Sequence, residues 1–144
     1  MIITYETAQI CDIDIIYQLC NQLIDKYEDL ERIDYDRVLA WVRRKIESSI
    51  GEYTAIFADG KKAGYYHFYK NEDNLYELDD LYIFPEYQGR GIGTAVFEKC
   101  CSSVDGSVML YVFIKNERAV ALYKRLGFEI VKTVGGSRYI MKKG

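Results

Sequence analysis

Three glycines stand at alternate positions in the segment QGRGIGT, namely Gly89, Gly91 and Gly93, just before a stretch with helical periodicity. A glycine within a helix is destabilising by about 0.5–1 kcal/mol relative to alanine, so their placement calls for an explanation. The first N–H groups of a helix have no backbone partner and carry part of a positive charge. Because glycine lets an anion approach the main chain closely, this segment predicts a phosphate-binding turn, with a ligand-free tight turn as the alternative.

The spacing of the glycines differs from two familiar phosphate-binding motifs. The P-loop places a lysine and then a serine or threonine after its last glycine, whereas Gly93 is followed directly by Thr94. The dinucleotide-binding fingerprint is G-x-G-x-x-G, and this run is G-x-G-x-G, which is one residue shorter. Both kinds of nucleotide-binding domain are therefore disfavoured.

Carboxylates suited to general-base chemistry precede the glycines in the run YELDDLYIF. An amine with a pKa of about 10.4 is mostly protonated at pH 7, and a positioned base contributes about 10²–10⁴ to the rate of its reaction. Because side chains alternate along a strand, Glu77 and Asp79 are predicted to share one face with Leu81. Asp80 and Tyr82 are predicted to lie on the opposite face. The alternative is that these acids are solvated strand and turn residues.

The elements that position these residues follow from hydrophobic periodicity. The predicted order is β-α-α-β-β-β-α-β-α-β-β, and Pro85 ends the strand that carries the acids. The four helices are predicted at about 8–27, 36–49, 91–103 and 116–127. Helices that follow both antiparallel hairpins and a parallel crossover predict an α+β domain with a mixed sheet.

Length, composition and charge agree with a single domain over residues 1–144. Apolar residues make up 49% and charged residues 28%, as in ordinary globular proteins. The net charge of −3 and the pI of about 5.3 disfavour a nucleic-acid partner. No apolar run approaches the roughly 20 residues that span a bilayer, and the N-terminus does not read as a secretory signal. We therefore expect no membrane partner and a cytoplasmic location.

Metal and hydrolase chemistry have little support in the sequence. The four cysteines and the one histidine, His67, show no metal-binding spacing, so no metal is predicted. A single histidine without a partner motif also disfavours Ser-His and Cys-His hydrolases, and His67 is expected to be structural or exposed.

Two longer segments carry a family resemblance. The run DLYIFPEYQGRGIGTAVFEKC resembles motif A of the GNAT superfamily of acetyl-CoA-dependent N-acyltransferases, whose Gln/Arg-x-x-Gly-x-Gly/Ala pattern runs here from Gln88 to Gly93. NERAVALYKRLGFEIV resembles motif B of that family, with matches at Asn116, Ala119, Leu122, Tyr123, Gly127 and Phe128. The two motifs in this order are more specific than either alone. The resemblance covers nearly the whole chain and is weakest over residues 1–50.

The resemblance implies the GNAT fold, a central and mostly antiparallel sheet with one parallel, splayed strand pair and helices on both faces. The strand ending at Pro85 would diverge from the strand 107–114 and leave a slot for the pantetheine arm of acetyl-CoA, the implied co-substrate. The main chain near Ile83 would pair with that arm and polarise the thioester carbonyl. The residues implied in coenzyme binding are Leu81, Tyr82, Ile83, Gln88, Gly89, Arg90, Gly91, Ile92, Gly93, Thr94, Asn116 and Tyr123.

The resemblance also implies catalytic residues. Related enzymes place the base on the strand that carries Glu77 and Asp79, and we expect Glu77 to be the base, with Asp79 helping to hold the acceptor. Tyr123 would lie near the sulfur and donate a hydrogen bond to the developing thiolate. The alternatives are a helix-capping role for Asn116 and a role in the core for Tyr123.

The predicted function is acetyl transfer from acetyl-CoA to a primary amine by direct attack. Acidic residues clustered over 25–36 and 72–80 would concentrate a cationic acceptor, such as a polyamine, a lysine-like amine or an aminoglycoside, although solvated acidic loops are the alternative. Carboxylates that bind an ammonium also raise its pKa, which opposes the reaction. Alternative functions are acetylation of protein N-terminal or lysine amines, and a non-catalytic acyl-CoA-binding module. A homodimer through the aromatic strands is an alternative to packing of those strands in the core.

Overall fold

The alternating segments form one sheet of seven strands in the order β1-β2-β3-β4-β5-β7-β6, and the computed structural model describes all 144 residues. The strands are β1 (Ile3–Thr7), β2 (Tyr53–Ala58), β3 (Lys61–Lys70), β4 (Tyr76–Ile83), β5 (Val108–Phe113), β6 (Glu129–Val134) and β7 (Arg138–Lys143). Neighbouring strands are antiparallel except for β4 and β5, which run parallel. The predicted mixed sheet is confirmed.

Four α-helices cover the two faces of the sheet. They are α1 (Ile13–Tyr27), α2 (Tyr35–Ser49), α3 (Ile92–Ser102) and α4 (Glu117–Arg125). The first helix begins later than predicted, because residues 10–12 form a short 3₁₀ turn. None of the helices combines the length and the apolar character that crossing a bilayer requires.

Each face of the sheet has its own hydrophobic cluster. Ile16 of α1 and Ile46 of α2 are fully buried against one face. Val96 of α3 and Val120 of α4 are buried against the other face. The helical spacing of apolar residues in the sequence therefore marks the core-facing side of each helix.

The parallel strands β4 and β5 separate soon after they meet. Their pairing is limited to Tyr76 with Val108 and Glu77 with Met109. Beyond Glu77 the edge of β4 that faces β5 has no strand partner, so main-chain groups there remain available to a ligand. The predicted splayed pair is thus present.

A β-bulge interrupts β4 just beyond this point. His67 of β3 pairs with Asp79, but the next pair along the ladder joins Tyr65 to Tyr82. Two steps along β3 therefore match three along β4, and the extra residue is accommodated at Asp80, whose φ is +50°.

The bulge overturns the prediction that Asp80 lies on the face opposite Asp79. The extra residue reverses the alternation of side chains, so Leu81 packs with the cluster under α3 and α4, like Leu78. Tyr82 is buried in the cluster under α1 and α2. Asp79 and Asp80 both contact α2 and therefore lie on the same side of the sheet.

Gly64 allows β3 to approach β4 at the bulge. It pairs with Ile83, and a Cβ atom built on Gly64 would overlap the carbonyl oxygen of Tyr82. A glycine inside a strand often marks such a close backbone approach. The bulge and the free edge of β4 depend on this missing side chain.

We expect Gly64→Ala to lower the free energy of unfolding by about 2–4 kcal/mol, because backbone must move to relieve the overlap. Urea unfolding would measure the change as a shift in midpoint. Gly51→Ala is the matched control, since a Cβ there meets nothing within 4 Å. Equal effects of the two substitutions would contradict this account.

Candidate active site

A continuous cleft of about 1420 Å³ follows the gap between β4 and β5. It is lined by the glycine turn at one end and by residues of α2 and the β3–β4 hairpin at the other. Of the residues predicted in the site, Arg90 does not line the cleft. Its guanidinium lies over the ring of Tyr87, 5.6 Å from the centroid, so only its main chain belongs to the turn.

The glycine turn presents unpaired amides to the cleft. Gly89 and Gly91 have φ values of +74° and +83°, which L-residues rarely adopt, and Gly91 is the N-cap of α3. Ala95 is the first residue of the segment whose N–H has a helical partner, the carbonyl of Gly91 at 3.0 Å. The amides of residues 89–94 donate to no protein acceptor, so they can bind an anion.

Gly93 has no structural reason to be glycine. Its φ is not positive, and a Cβ built on it meets nothing within 4 Å. Gly64, by contrast, is required by the protein's own backbone. The space beside Gly93 therefore fits a ligand that approaches the start of α3.

Side chains around the turn fix its position. Gln88 donates from Nε2 to the carbonyl of Ile83 at 3.0 Å, which ties the turn to the end of β4. The side chain of Ile92 is buried in the core, so only its amide is available to a ligand. Leu81, Tyr82 and Ile83, which are predicted to bind the coenzyme, line the cleft.

Helix α4 brings Asn116 and Tyr123 to the same cleft. Asn116 Oδ1 accepts a hydrogen bond from the amide of Ala119 at 3.3 Å, so the capping role considered from sequence is present. The ring of Tyr123 packs on Phe97 and Phe128, with centroids 5.2 Å and 6.4 Å away. Burial raises the pKa of Tyr123 to about 12, which suits a hydrogen-bond donor better than an acid.

Glu77 lies where the parallel strands part. It is buried, at the last residue pair between β4 and β5. Its Oε1 accepts a hydrogen bond from Nδ2 of Asn71 at 3.2 Å. A carboxylate at this position borders both the slot between the strands and the acidic end of the cleft.

Asp79 and Asp80 form a cluster with a lysine from α2. Lys45 Nζ donates to Asp79 Oδ2 and lies 3.6 Å from Asp80 Oδ2. The hydroxyl groups of Tyr53 and Tyr82 donate to Asp80 at 2.5 Å and 3.0 Å. The amide of Asp80 donates to Asp79 Oδ1 at 3.0 Å.

Two acids share one cation in this cluster. Burial and then the adjacent Asp80 carboxylate raise the pKa of Asp79 to about 7, against the opposing effect of Lys45. Burial alone would lower the pKa of Lys45, but the two carboxylates outweigh it and raise that pKa. The lysine of this cluster is therefore protonated at pH 7.

Sequence reasoning did not assign Lys45 or His67 to the site. His67 is 2% exposed, as a structural residue would be, yet it lines the cleft and neither ring nitrogen has a hydrogen-bond partner. Its ring is stacked between Tyr53 and Tyr69, with centroids 4.4 Å and 4.2 Å away. Burial and the nearby lysine ammonium lower the pKa of His67, so it is neutral at pH 7. His67 could have been assigned to the site from the sequence only through the register of the β3–β4 hairpin, which pairs it with Asp79.

The acids of residues 25–36 mostly serve the local structure. Asp34 Oδ1 accepts the amide of Arg37 at 3.3 Å and caps α2. Asp25 accepts the hydroxyl of Tyr35 at 2.6 Å, and of the acids in this segment only Glu28 lines the cleft. The acidic end of the cleft is formed instead by the second cluster, which comprises Glu72, Asp73, Glu77, Asp79 and Asp80.

Splayed parallel strands, with unpaired amides where the next helix begins, are the arrangement expected of an acyltransferase of the GNAT type. The sequence matches the acetyltransferase (GNAT) family over residues 16–128, and the chain belongs to this family. The resemblance inferred from the two motifs is confirmed.

Individual relatives support the assignment. An uncharacterised N-acetyltransferase of Methanocaldococcus jannaschii is 35% identical over 46% of this chain and 31% of its own length. Thialysine N-epsilon-acetyltransferase of Bos taurus is 41% identical over 38% of this chain and 34% of its own length. The chain thus spans about a third of each of these relatives. A solved structure with a similar fold is the PaiA N-acetyltransferase of Thermoplasma acidophilum in complex with coenzyme A. Its superposition on this chain has a TM-score of 0.71 at 20% sequence identity, and it covers 99% of this chain and 99% of that one.

We expect Asp80→Asn to lower the pKa of Asp79 by about one unit or more, because it removes the adjacent negative charge and leaves Lys45 in place. The carboxyl ¹³C resonance of Asp79, followed by NMR against pH, measures the shift. Glu72→Gln, on the exposed hairpin, is the control and should leave that pKa unchanged. An unmoved midpoint in Asp80→Asn would show that the two carboxylates are not coupled.

Proposed function

We propose that the protein transfers an acetyl group from acetyl-CoA to the primary amine of a small cationic acceptor. The observation that supports this most strongly is the row of unpaired amides over residues 89–94, beside the gap between β4 and β5. Family membership gives the reaction class, and the coenzyme A bound to the T. acidophilum relative supports the choice of ligand.

The coenzyme-binding half of the cleft is suited to anionic phosphate. The amides of residues 89–94 would hold the pyrophosphate, and the space beside Gly93 gives it room. Arg118 and Arg125 of α4 line the same cleft and add positive charge. The unpaired edge of β4 over residues 81–83 would bind the pantetheine amides as a neighbouring strand does.

Glu77 is the base in this proposal. Its carboxylate is buried where the strands part and has no lysine or arginine partner, whereas Asp79 is engaged by Lys45. An acceptor N–H proton passes to Glu77, directly or through water, as the nitrogen attacks the thioester carbon and the C–S bond breaks. Tyr123 donates a hydrogen bond to the leaving thiolate. Asp79 helps to position the acceptor only as the neutral amine, because Lys45 engages its carboxylate.

The acceptor class follows from charge at the other end of the cleft. Three exposed acids line its mouth, namely Glu52, Glu72 and Asp73, which we call the acidic rim. Their side chains make no ion pair with a lysine or arginine, and the nearest basic group to Glu52 is Nε2 of the neutral His67, 3.7 Å from its Oε1. The three acids therefore attract a cationic acceptor. The partial match to thialysine N-epsilon-acetyltransferase supports a lysine-like amine.

We expect Gly93→Ala to weaken coenzyme A binding by about tenfold or more, because the new methyl group occupies the ligand's space. The same change should stabilise α3 by up to about 1 kcal/mol, so weaker binding would not reflect unfolding. Calorimetric titration of coenzyme A and thermal unfolding give the two measurements. Gly51→Ala should change neither, and unaltered affinity in Gly93→Ala would remove the turn from the site.

We expect the wild-type protein to release thiol from acetyl-CoA with lysine-like amines, and Tyr123→Phe to slow turnover by about 10–10³-fold at unchanged coenzyme affinity. A panel of 1,5-diaminopentane, lysine, spermidine, an aminoglycoside and a short peptide with a free N-terminus tests the acceptor. Turnover of the peptide alone would contradict the small-amine proposal. Saturable coenzyme binding without turnover of any amine would favour a sensing module.

A further inference from the structure

A lysine of the protein itself fills the place where a cationic acceptor would be expected to bind. Lys45 Nζ contacts both central carboxylates, and its side chain is 25% exposed against 19% for Asp79 and 11% for Asp80. The ring of Trp41, one helical turn earlier, has its centroid 5.9 Å from Nζ. The ammonium group is therefore held between α2 and the bulge of β4 instead of extending into solvent.

We propose that Lys45 is a specificity-determining residue that occupies the ammonium site formed by Asp79 and Asp80 and excludes the protonated acceptor from it. The inference rests on the proposed amine-acetylating function. It gives the cleft two parts, an acidic rim that attracts the cation and a centre whose ammonium position is already filled by Lys45.

Charges on the surrounding elements leave Lys45 as the sole cation at this centre. The groups that face the cluster are Cys20 of α1, Trp41 of α2, Glu52 of the turn before β2, Tyr53 of β2, His67 and Tyr69 of β3, and Glu77 and Tyr82 of β4. Burial raises the pKa of Cys20 to about 12, raises the pKa values of the three tyrosines and lowers that of His67. The cysteine, the three tyrosines and the histidine are therefore neutral at pH 7. The other titratable groups that face the cluster are Glu52 and Glu77.

The exclusion resolves a conflict between binding and reaction. A carboxylate pair without its own cation would bind the acceptor as an ammonium and raise its pKa, which lowers the fraction of reactive amine. With Lys45 in place, an ammonium that approaches the centre meets a like charge. The acceptor is then attracted at the rim by Glu52, Glu72 and Asp73, and only the neutral nitrogen is favoured beside Glu77.

The experiment measures amine binding separately from turnover. Calorimetry gives the affinity of 1,5-diaminopentane for the protein saturated with coenzyme A at pH 7, in wild type, Lys45→Gln and Lys45→Arg. We expect Lys45→Gln to bind the diamine about tenfold more tightly, because the carboxylates lose their internal cation. Lys45→Arg should stay within about twofold of wild type, since the charge is kept. The uncharged 1,5-pentanediol is the control ligand and should not distinguish the variants.

Kinetics supply an independent readout. With an amine that wild type acetylates, Lys45→Gln should lower both KM and kcat at pH 7.5, and the rise of kcat with pH should move upward by about one unit. Loss of kcat without a fall in KM and without a pH shift would indicate a merely structural role and overturn the proposal. If Lys45→Gln does not fold, Lys45→Met carries the same test with a side chain that packs on Trp41.

The outcomes separate this inference from the proposed function. Unchanged or weaker diamine binding in Lys45→Gln overturns the role of Lys45, even if wild type acetylates amines. Tighter binding in Lys45→Gln, with no turnover of any amine by wild type, supports the role of Lys45 and overturns the proposed function. An equal gain in Lys45→Arg would show that charge is not the cause and would overturn the inference.

Discussion

The separation of β4 from β5 is the constraint on which the rest of the site depends. Parallel strands normally hydrogen-bond along their length, and here pairing stops after Glu77 and Met109. The unpaired edge of β4 and the turn that follows it then border one gap, at whose far end α3 begins. A ligand that satisfies both the strand edge and the helix start replaces hydrogen bonds that the fold leaves unmade.

The bulge at Asp80 determines on which side of the sheet the side chains of β4 lie. Without the extra residue, Asp80 would point toward α3 and α4 and Leu81 toward α2. With it, two adjacent carboxylates reach the same side and meet Lys45, while Leu81 returns to the core. Gly64 makes the bulge compatible with close packing of β3, so the acidic centre depends on a glycine in the neighbouring strand.

Sequence reasoning succeeded where the signal is local. The glycine turn was predictable because helix starts and glycines have fixed physical consequences within a few residues. The capping role of Asn116 is also visible in the sequence. Asp34 before α2 gives the same local signal, although it belongs to the acidic cluster over 25–36 that is predicted to attract a cationic acceptor. Alternation along β4 failed because a bulge at an aspartate leaves no clear mark in sequence. Lys45 lies 34 residues from Asp79, so only the tertiary fold brings the two together.

The two ends of the cleft have opposite electrostatic character, and this difference determines which substrate each end favours. Unpaired amides and the arginines of α4 favour the anionic end of a coenzyme, whereas the rim acids favour an amine. Uncompensated acids deeper in the cleft would hold the amine in its unreactive form. In the proposed arrangement, the acids that attract the acceptor lie at the mouth, whereas at the centre Lys45 already occupies the position beside Asp79 and Asp80.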